Sequence, residues 1–304
     1  MSKSLVSAET LAAVGTSRPL RSGVVTAQDI RKYCVSIDEM GTPHLDEEAA
    51  RKAGFSNVIA PPLFPIAVTR PIVFESHLLP DGQYDDLAPP GLQNLQSMLA
   101  GQEWEIFRPA VVGETLTEQV SFGAITEKPG RSGSLVFVGE DSIVRDAKGA
   151  PVLRLSNTLL FREPPPRTAA MPPSTRALDA STKVPSSYKD GVLTRNPTMI
   201  SLFMYTAVTW SVHRTHYDVL YAQSEGLPSA VLPGAMISAY FCQFVQARFP
   251  TNTLKKLTLK FMAPACPGDT FTLSMEGPAD PANVGMAMRN QDNAVVASGT
   301  ASCT

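Results

Sequence analysis

Two histidines three residues apart, His213 and His216 in the segment HRTHYD, are half of the four histidines in the chain. An imidazole with an ordinary pKa of about 6.5 takes and gives protons at neutral pH, so the pair is the first candidate for acid/base chemistry. The competing reading is two rings that merely bond to the loop backbone. His44, in HLDEEAARKAG, is a third candidate, with Asp38 and Glu39 just before it. Asp46 and Asp218 each follow one of these histidines by two residues. They read as helix N-caps, because a carboxylate accepts bonds from the first free N–H groups of a helix. Arg214, Lys255 and Lys256 could meet phosphate groups, although exposed lysines are usually plain solvated surface. Nucleophile arrangements and phosphate-binding glycine loops do not occur. Cys34, Cys242, Cys266 and Cys303 are scattered, with no CxxC pair or Cys/His ligand spacing, and read as buried apolar filler.

These residues need a scaffold, and 304 residues suffice for one large domain or two of about 150. With 43% hydrophobic residues the chain can build a core, and a net charge of −2 excludes a strongly basic nucleic-acid face. No uncharged apolar run of membrane-spanning length occurs. The N-terminus, MSKSLVSAETLAAVG, has no apolar signal core. A cytoplasmic protein with no membrane and no nucleic-acid partner is therefore expected.

The stretch 163–190, EPPPRTAAMPPSTRALDASTKVPSSYKD, holds six prolines and reads as a linker. It separates a domain at 1–162 from one at 191–304, and the two resemble one another. At a constant offset of 172, His44 meets His216, Asp46 meets Asp218, Gly54 meets Gly226 and Pro61 meets Pro233. Further on, RPAVVGETLT (108–117) resembles APACPGDTFT (263–272) at an offset of 155, so the first block carries 17 extra residues, placed within 69–91. Each block predicts an Asp-capped short helix stopped by glycine. In the second, AMISAYFCQFVQARF is apolar nearly all round and reads as a buried helix. Alternating segments such as TLTEQVSFGAI, SLVFVGEDSIV, LKKLTLKFM and AVVASGTAS read as strands.

Together VTAQDIRKYCVSID, HLDEEAARKAGFSNVIAPP, GQEWEIFRPAVVGETL and the HRTHYD segment resemble the MaoC-like double hot-dog hydratases and dehydratases, over nearly all of the chain outside the linker. The first block is similar to their N-terminal dehydratase-type half. The second is similar to the 3-hydroxyacyl-thioester dehydratase and mesaconyl-CoA hydratase type. The resemblance implies an α+β fold with two antiparallel sheets, each wrapped around a long central helix. It also implies reversible hydration of an enoyl thioester carried on CoA or acyl carrier protein. No metal or redox cofactor is implied, and a monomer or a homodimer would both fit.

The family pattern places its catalytic histidine at His216, with the usual aspartate and asparagine replaced by Ser211 and His213. The resemblance thus implies His216 as general acid/base, with Ser211 and His213 orienting water. Gly234 and Ala235 would supply backbone donors to the thioester oxygen, and Arg214 and Tyr205 would be further substrate contacts. At the position matching Gly234 the first block has Pro62, which has no N–H to give, so the second block is the expected catalytic half. The first would form tunnel wall, with its insert part of a lid. Alternative readings are a biosynthetic dehydratase or isomerase acting on a non-standard substrate, and a non-catalytic acyl-thioester-binding protein.

Overall fold

The computed structural model describes residues 4–130, 133–164 and 186–304. In the first half the elements are α1 (Ala8–Ala12), β1 (Arg21–Val24), α2 (Ala27–Ser36), α3 (Glu47–Lys52), α4 (Phe64–Thr69), β2 (Gln96–Ile106), β3 (Thr115–Gly130), β4 (Gly133–Asp146) and β5 (Pro151–Arg162). The second half has β6 (Ser187–Lys189), β7 (Val192–Arg195), α5 (Met199–Thr209), α6 (Val219–Ser224), α7 (Gly234–Arg248), β8 (Leu254–Phe261), β9 (Phe271–Met275), β10 (Val284–Arg289) and β11 (Val295–Cys303). Among the described residues no helix is long and apolar enough to cross a membrane.

The strands form one antiparallel sheet in the order β1-β3-β4-β5-β2-β8-β11-β10-β9-β7-β6. The order is nearly palindromic about the β2–β8 seam. At that seam Glu103 faces Thr258, and the two positions differ by 155, the offset of the second repeat. The repeat is equally visible in hydrogen bonds. Ala60 N donates to Ala110 O at 2.8 Å, and Leu232 N donates to Ala265 O at 2.8 Å. Thr26 and Thr198 cap α2 and α5, and Asp46 and Asp218 cap α3 and α6. Gly54 and Gly226 both take positive φ, 90° and 79°.

Two expectations are corrected. The sheets are not separate: β2 pairs with β8, which covers two edges that would otherwise expose unpaired N–H and C=O groups. Nor does each half hold a long helix, since α4 has 6 residues and α7 has 15. Arg70 precedes Pro71, and the proline ring drives it out of helical conformation, to ψ 129°, ending α4. From Gly234 onward α7 meets no proline before Pro250, and its first three turns are buried almost throughout.

Helix α7 also ties the halves together. Ser238 donates to Gln102 Oε1 in β2 at 2.7 Å, and Gln243 Nε2 donates to Ile37 O at 3.1 Å. All four cysteines are free and buried, as expected for apolar filler; burial raises the Cys34 and Cys266 thiols to about 12. Residues 165–185 of the Pro/Ser-rich stretch lie outside the described residues. Its last residues, Ser187–Lys189, pair with β7 through a two-residue turn at Asp190 and Gly191, both at positive φ. Asp-Gly is the turn chemistry that a tight hairpin requires.

Candidate active site

The histidine segment is built by a sharp exit from α5. Trp210 closes the helix in the left-handed region at φ 50°, and Ser211 N returns to Thr206 O at 2.9 Å. A 3-10 turn, Arg214–His216, follows, and then Asp218 caps α6 by accepting from Tyr221 N at 2.9 Å. The first half repeats this path: Asp38 has φ 56°, Glu39 N donates to Cys34 O at 2.8 Å, and a turn spans Thr42–His44.

The Nδ1 of His216 lies 2.8 Å from Val231 O, and the twin bond, His44 Nδ1 to Ile59 O, is 2.9 Å. The bond to the loop backbone is therefore a feature of the fold, present in both halves. It does not consume the ring. A carbonyl oxygen can only accept, so Nδ1 carries the proton and Nε2 of His216 keeps a free lone pair. Burial, then the neighbouring His213, lowers the His216 pKa to about 3, against a smaller raising effect of the Val231 bond. Burial likewise lowers His213 to about 4. The two rings meet edge to face, with centroids 5.7 Å apart. At neutral pH both are uncharged, the form in which an imidazole acts as a base.

This has a consequence for stability. The unfolded chain protonates both histidines near pH 6.5, whereas the folded chain does so only near 3 to 4, so the unfolded state binds more protons between these values. Stability conferred by the neutral rings is complete above about pH 6.5 and is lost as pH falls toward 4. Thermal unfolding at pH 7.5 and 4.5 is expected to show a loss on the order of 2 kcal/mol per ring, and His213→Gln should remove its share.

Ser211 takes a defined place in a chain of hydroxyls. Thr209 Oγ1 donates to Tyr205 O at 2.7 Å and lies 2.8 Å from Ser211 Oγ. The single Thr209 proton is committed to the carbonyl, so Ser211 donates to Thr209 and presents its own oxygen as an acceptor. His213 Nδ1 contacts Thr215 Oγ1 at 2.9 Å, and its Nε2 lies 3.8 Å from Asp81 Oδ2. Three residues after Val231, Gly234 opens α7 behind Pro233, which offers no side-chain cap. The Gly234 and Ala235 N–H groups fall among those that a helix start leaves without an intrahelical acceptor. A Cβ at Gly234 would come within 2.3 Å of Leu99 Cδ2 and 3.0 Å of Phe261 Cζ.

Other candidates have different places. Both Nε and NH2 of Arg214 donate to Asp218 Oδ2, at 3.1 and 2.7 Å, and the guanidinium sits over the Tyr221 ring at 4.4 Å. Tyr205 is 2% exposed and packs against Tyr33, centroids 5.9 Å apart, which is a core position. In the first half Glu39 stands where the second has Ser211, and its carboxylate accepts from the N–H of Gly41, the counterpart of His213, at 2.7 Å. The cavity there, lined by Glu39, Pro62, Leu63 and Cys242, measures about 10 Å³, scarcely room for one water molecule.

Residues that the sequence did not single out come from the insert. Asp81 O accepts from Arg214 N at 2.8 Å, and Tyr84 Oη donates to Pro71 O at 3.1 Å and Trp210 O at 3.0 Å. Gly82, at φ 82°, lies so close to the histidine segment that a Cβ would fall 2.1 Å from Val212 O. Gly82→Ala is therefore expected to destabilise the protein by about 1–3 kcal/mol and to lower turnover, measured by thermal unfolding and kcat together. Beside the insert a cleft of about 600 Å³ is lined by residues including Arg21, Val68, Arg70, Pro71 and Tyr84.

A family model described as "FAS1-like, dehydratase domain region" matches residues 12–155. The chain is 27% identical over 258 residues to a mesaconyl-C(4)-CoA hydratase of Chloroflexus aurantiacus, covering 79% of each. Its structure is similar to a MaoC-like dehydratase from Phytophthora capsici, with TM-score 0.66, 19% identity and coverage of 97% of this chain and 98% of that one. It is also similar to a Mycobacterium tuberculosis protein described as having a double hot-dog fold, with TM-score 0.61, 14% identity and 96% of each chain covered. The chain thus has the double hot-dog fold of the MaoC-like dehydratases, and its residues 12–155 are similar to a FAS1-like dehydratase region.

Proposed function

We propose that this protein is a hydro-lyase that adds water across the C2–C3 double bond of an enoyl thioester, or removes it from a 3-hydroxyacyl thioester, with the chemistry in the second half. The observation that carries the reading is His216: its Nδ1, tied to Val231 O three residues before the uncapped start of α7, leaves an uncharged Nε2 able to accept a proton. The thioester oxygen would rest on the Gly234 and Ala235 N–H groups, where developing enolate charge gains most from fixed donors. Ser211, as acceptor, would hold the water. His216 Nε2 takes a proton as the water oxygen bonds to C3, and the same imidazolium returns that proton to C2. Burial disfavours the imidazolium and makes it a ready acid for the second step. The first half then supplies fold, tunnel wall and the insert. Sequence likeness to a mesaconyl-C(4)-CoA hydratase supports the enoyl-CoA class.

Mass spectrometry of the product formed from crotonyl-CoA in H2(18)O tests the reaction. One labelled oxygen at C3 is expected. Product without the label would favour the isomerase alternative, and unchanged crotonyl-CoA together with tight thioester binding would favour the acyl-binding alternative.

A further inference from the structure

The histidine segment carries more than its fold requires. In both halves a loop N–H donates to the residue just before the histidine: Val231 N to Thr215 O at 3.0 Å, and Ile59 N to Pro43 O at 3.2 Å. In both, the same loop residue then accepts from the histidine Nδ1. At the offset of 172, however, His213 matches Gly41 and Thr215 matches Pro43. The first half therefore closes the loop with neither an imidazole nor a hydroxyl. Only the second half carries both side chains, and there Thr215 Oγ1 lies 2.9 Å from His213 Nδ1.

The far nitrogen of His213 faces the insert. Asp81 Oδ2 stands 3.8 Å from Nε2, an electrostatic contact longer than a hydrogen bond, and with the two side chains 20% and 21% exposed little water screens it. The carboxylate is held in place. Its Oδ1 accepts from Gln83 N at 2.9 Å and its Oδ2 from Gln83 Nε2 at 2.6 Å, while Gln83 Oε1 accepts from Ser97 Oγ in β2 at 2.8 Å. A carboxylate can only accept, so it favours the His213 tautomer with the proton on Nε2, and Nδ1 then accepts from Thr215 Oγ1. The donors thus run one way, from His216 to Val231 O, from Val231 N to Thr215 O, from Thr215 Oγ1 to His213, and from His213 toward Asp81.

We propose that Asp81, from the insert of the first half, is a positioning residue for the reaction in the second. It fixes the tautomer and orientation of His213, and through Thr215 and Val231 the ring of His216. The inference rests on the enoyl-thioester reading above and deepens it. Where the histidine segment has Ser211 in place of an aspartate, the insert returns a carboxylate to the site from another direction. The site is then complete only with both halves, which accounts for an insert pinned so closely to the segment that Gly82 admits no Cβ.

Nitrogen-15 NMR of histidine-labelled protein reads the tautomer, and the signals lost in His213→Gln assign this ring among the four histidines. Wild-type protein at neutral pH is expected to show His213 protonated on Nε2. In Asp81→Asn the amide oxygen keeps the bond from Gln83 N, which puts the NH2 where Oδ2 stood, so the ring proton should move to Nδ1. The same variant should lose about ten- to a hundredfold in kcat on crotonyl-CoA with KM little changed, the scale on which outer partners of a working histidine act. Asp81→Glu should recover part of that loss, and Asp81→Asn should add little to His213→Gln. A wild-type proton on Nδ1 would overturn the proposal even if a variant fails to fold. So would an Asp81→Asn protein that keeps either the Nε2 tautomer or the wild-type kcat, or one whose loss is equally large in the His213→Gln background. A tautomer set by Asp81 in protein that hydrates nothing would sink the hydratase reading alone; hydration untouched by Asp81→Asn would sink this inference alone.

Discussion

Replacing His216 by alanine is expected to lower kcat for enoyl-thioester hydration by about 10²–10⁴-fold, the usual contribution of a positioned acid/base group. The geometry allows a sharper variant. Asparagine keeps an N–H that can donate to Val231 O, the bond made by Nδ1 at 2.8 Å, but has no basic nitrogen. His216→Asn should therefore unfold closer to the wild-type temperature than His216→Ala, yet lose activity to the same extent. The corresponding change in the first half, His44→Asn, removes a ring in the same backbone setting beside a cavity with no room for substrate. It should leave kcat near the wild-type value. Kinetics and thermal unfolding of the three variants separate a structural tie from proton transfer, and equal losses for His44→Asn and His216→Asn would contradict the assignment of the reaction to the second half.

The second large effect is expected at Gly234. In the proposed mechanism its N–H is offered to the thioester oxygen, whereas its counterpart in the first half is Pro62. Gly234→Pro removes that donor at a helix position where proline is otherwise well tolerated. It also adds a Cβ against Leu99 and Phe261. Gly234→Ala adds the same carbon and keeps the N–H, so the ratio of the two variants isolates the donor. Proline is expected to be about 10²–10³-fold slower in kcat than alanine, as for loss of one oxyanion donor. Similar rates for the two would place the thioester oxygen elsewhere.

Much of this arrangement was legible before the structure because the chain repeats itself. The offset of 172 carried Asp46 onto Asp218 and His44 onto His216, and the structure gives both pairs the same caps and the same ring-to-carbonyl bonds. The buried helix at Gly234–Arg248 could be read from its apolar surface. Other features depend on contacts between distant residues. The seam strand β2 has Gly101 and Gln102 in its middle and pairs on both sides, so its sequence lacks a clean alternation. The brevity of α4 follows from Arg70-Pro71, a signal present in the sequence but overridden by the symmetry of the repeat. The roles of Asp81, Gly82 and Tyr84 lie in the 17-residue insert, which has no twin to compare with. Only its packing against Trp210, Val212 and Arg214 gives them meaning.

The most direct test follows the conjugated enoyl absorbance of crotonyl-CoA and mesaconyl-CoA with wild-type protein from pH 4.5 to 8. A neutral His216 with a pKa lowered to about 3 predicts loss of the band at a rate that holds steady from pH 8 down to about 5.5, with no break near 6.5. A band that persists at every pH, in protein shown to be folded, would contradict the assignment of hydratase chemistry to this site; a rate that halves near pH 6.5 would contradict the buried, neutral base at its centre.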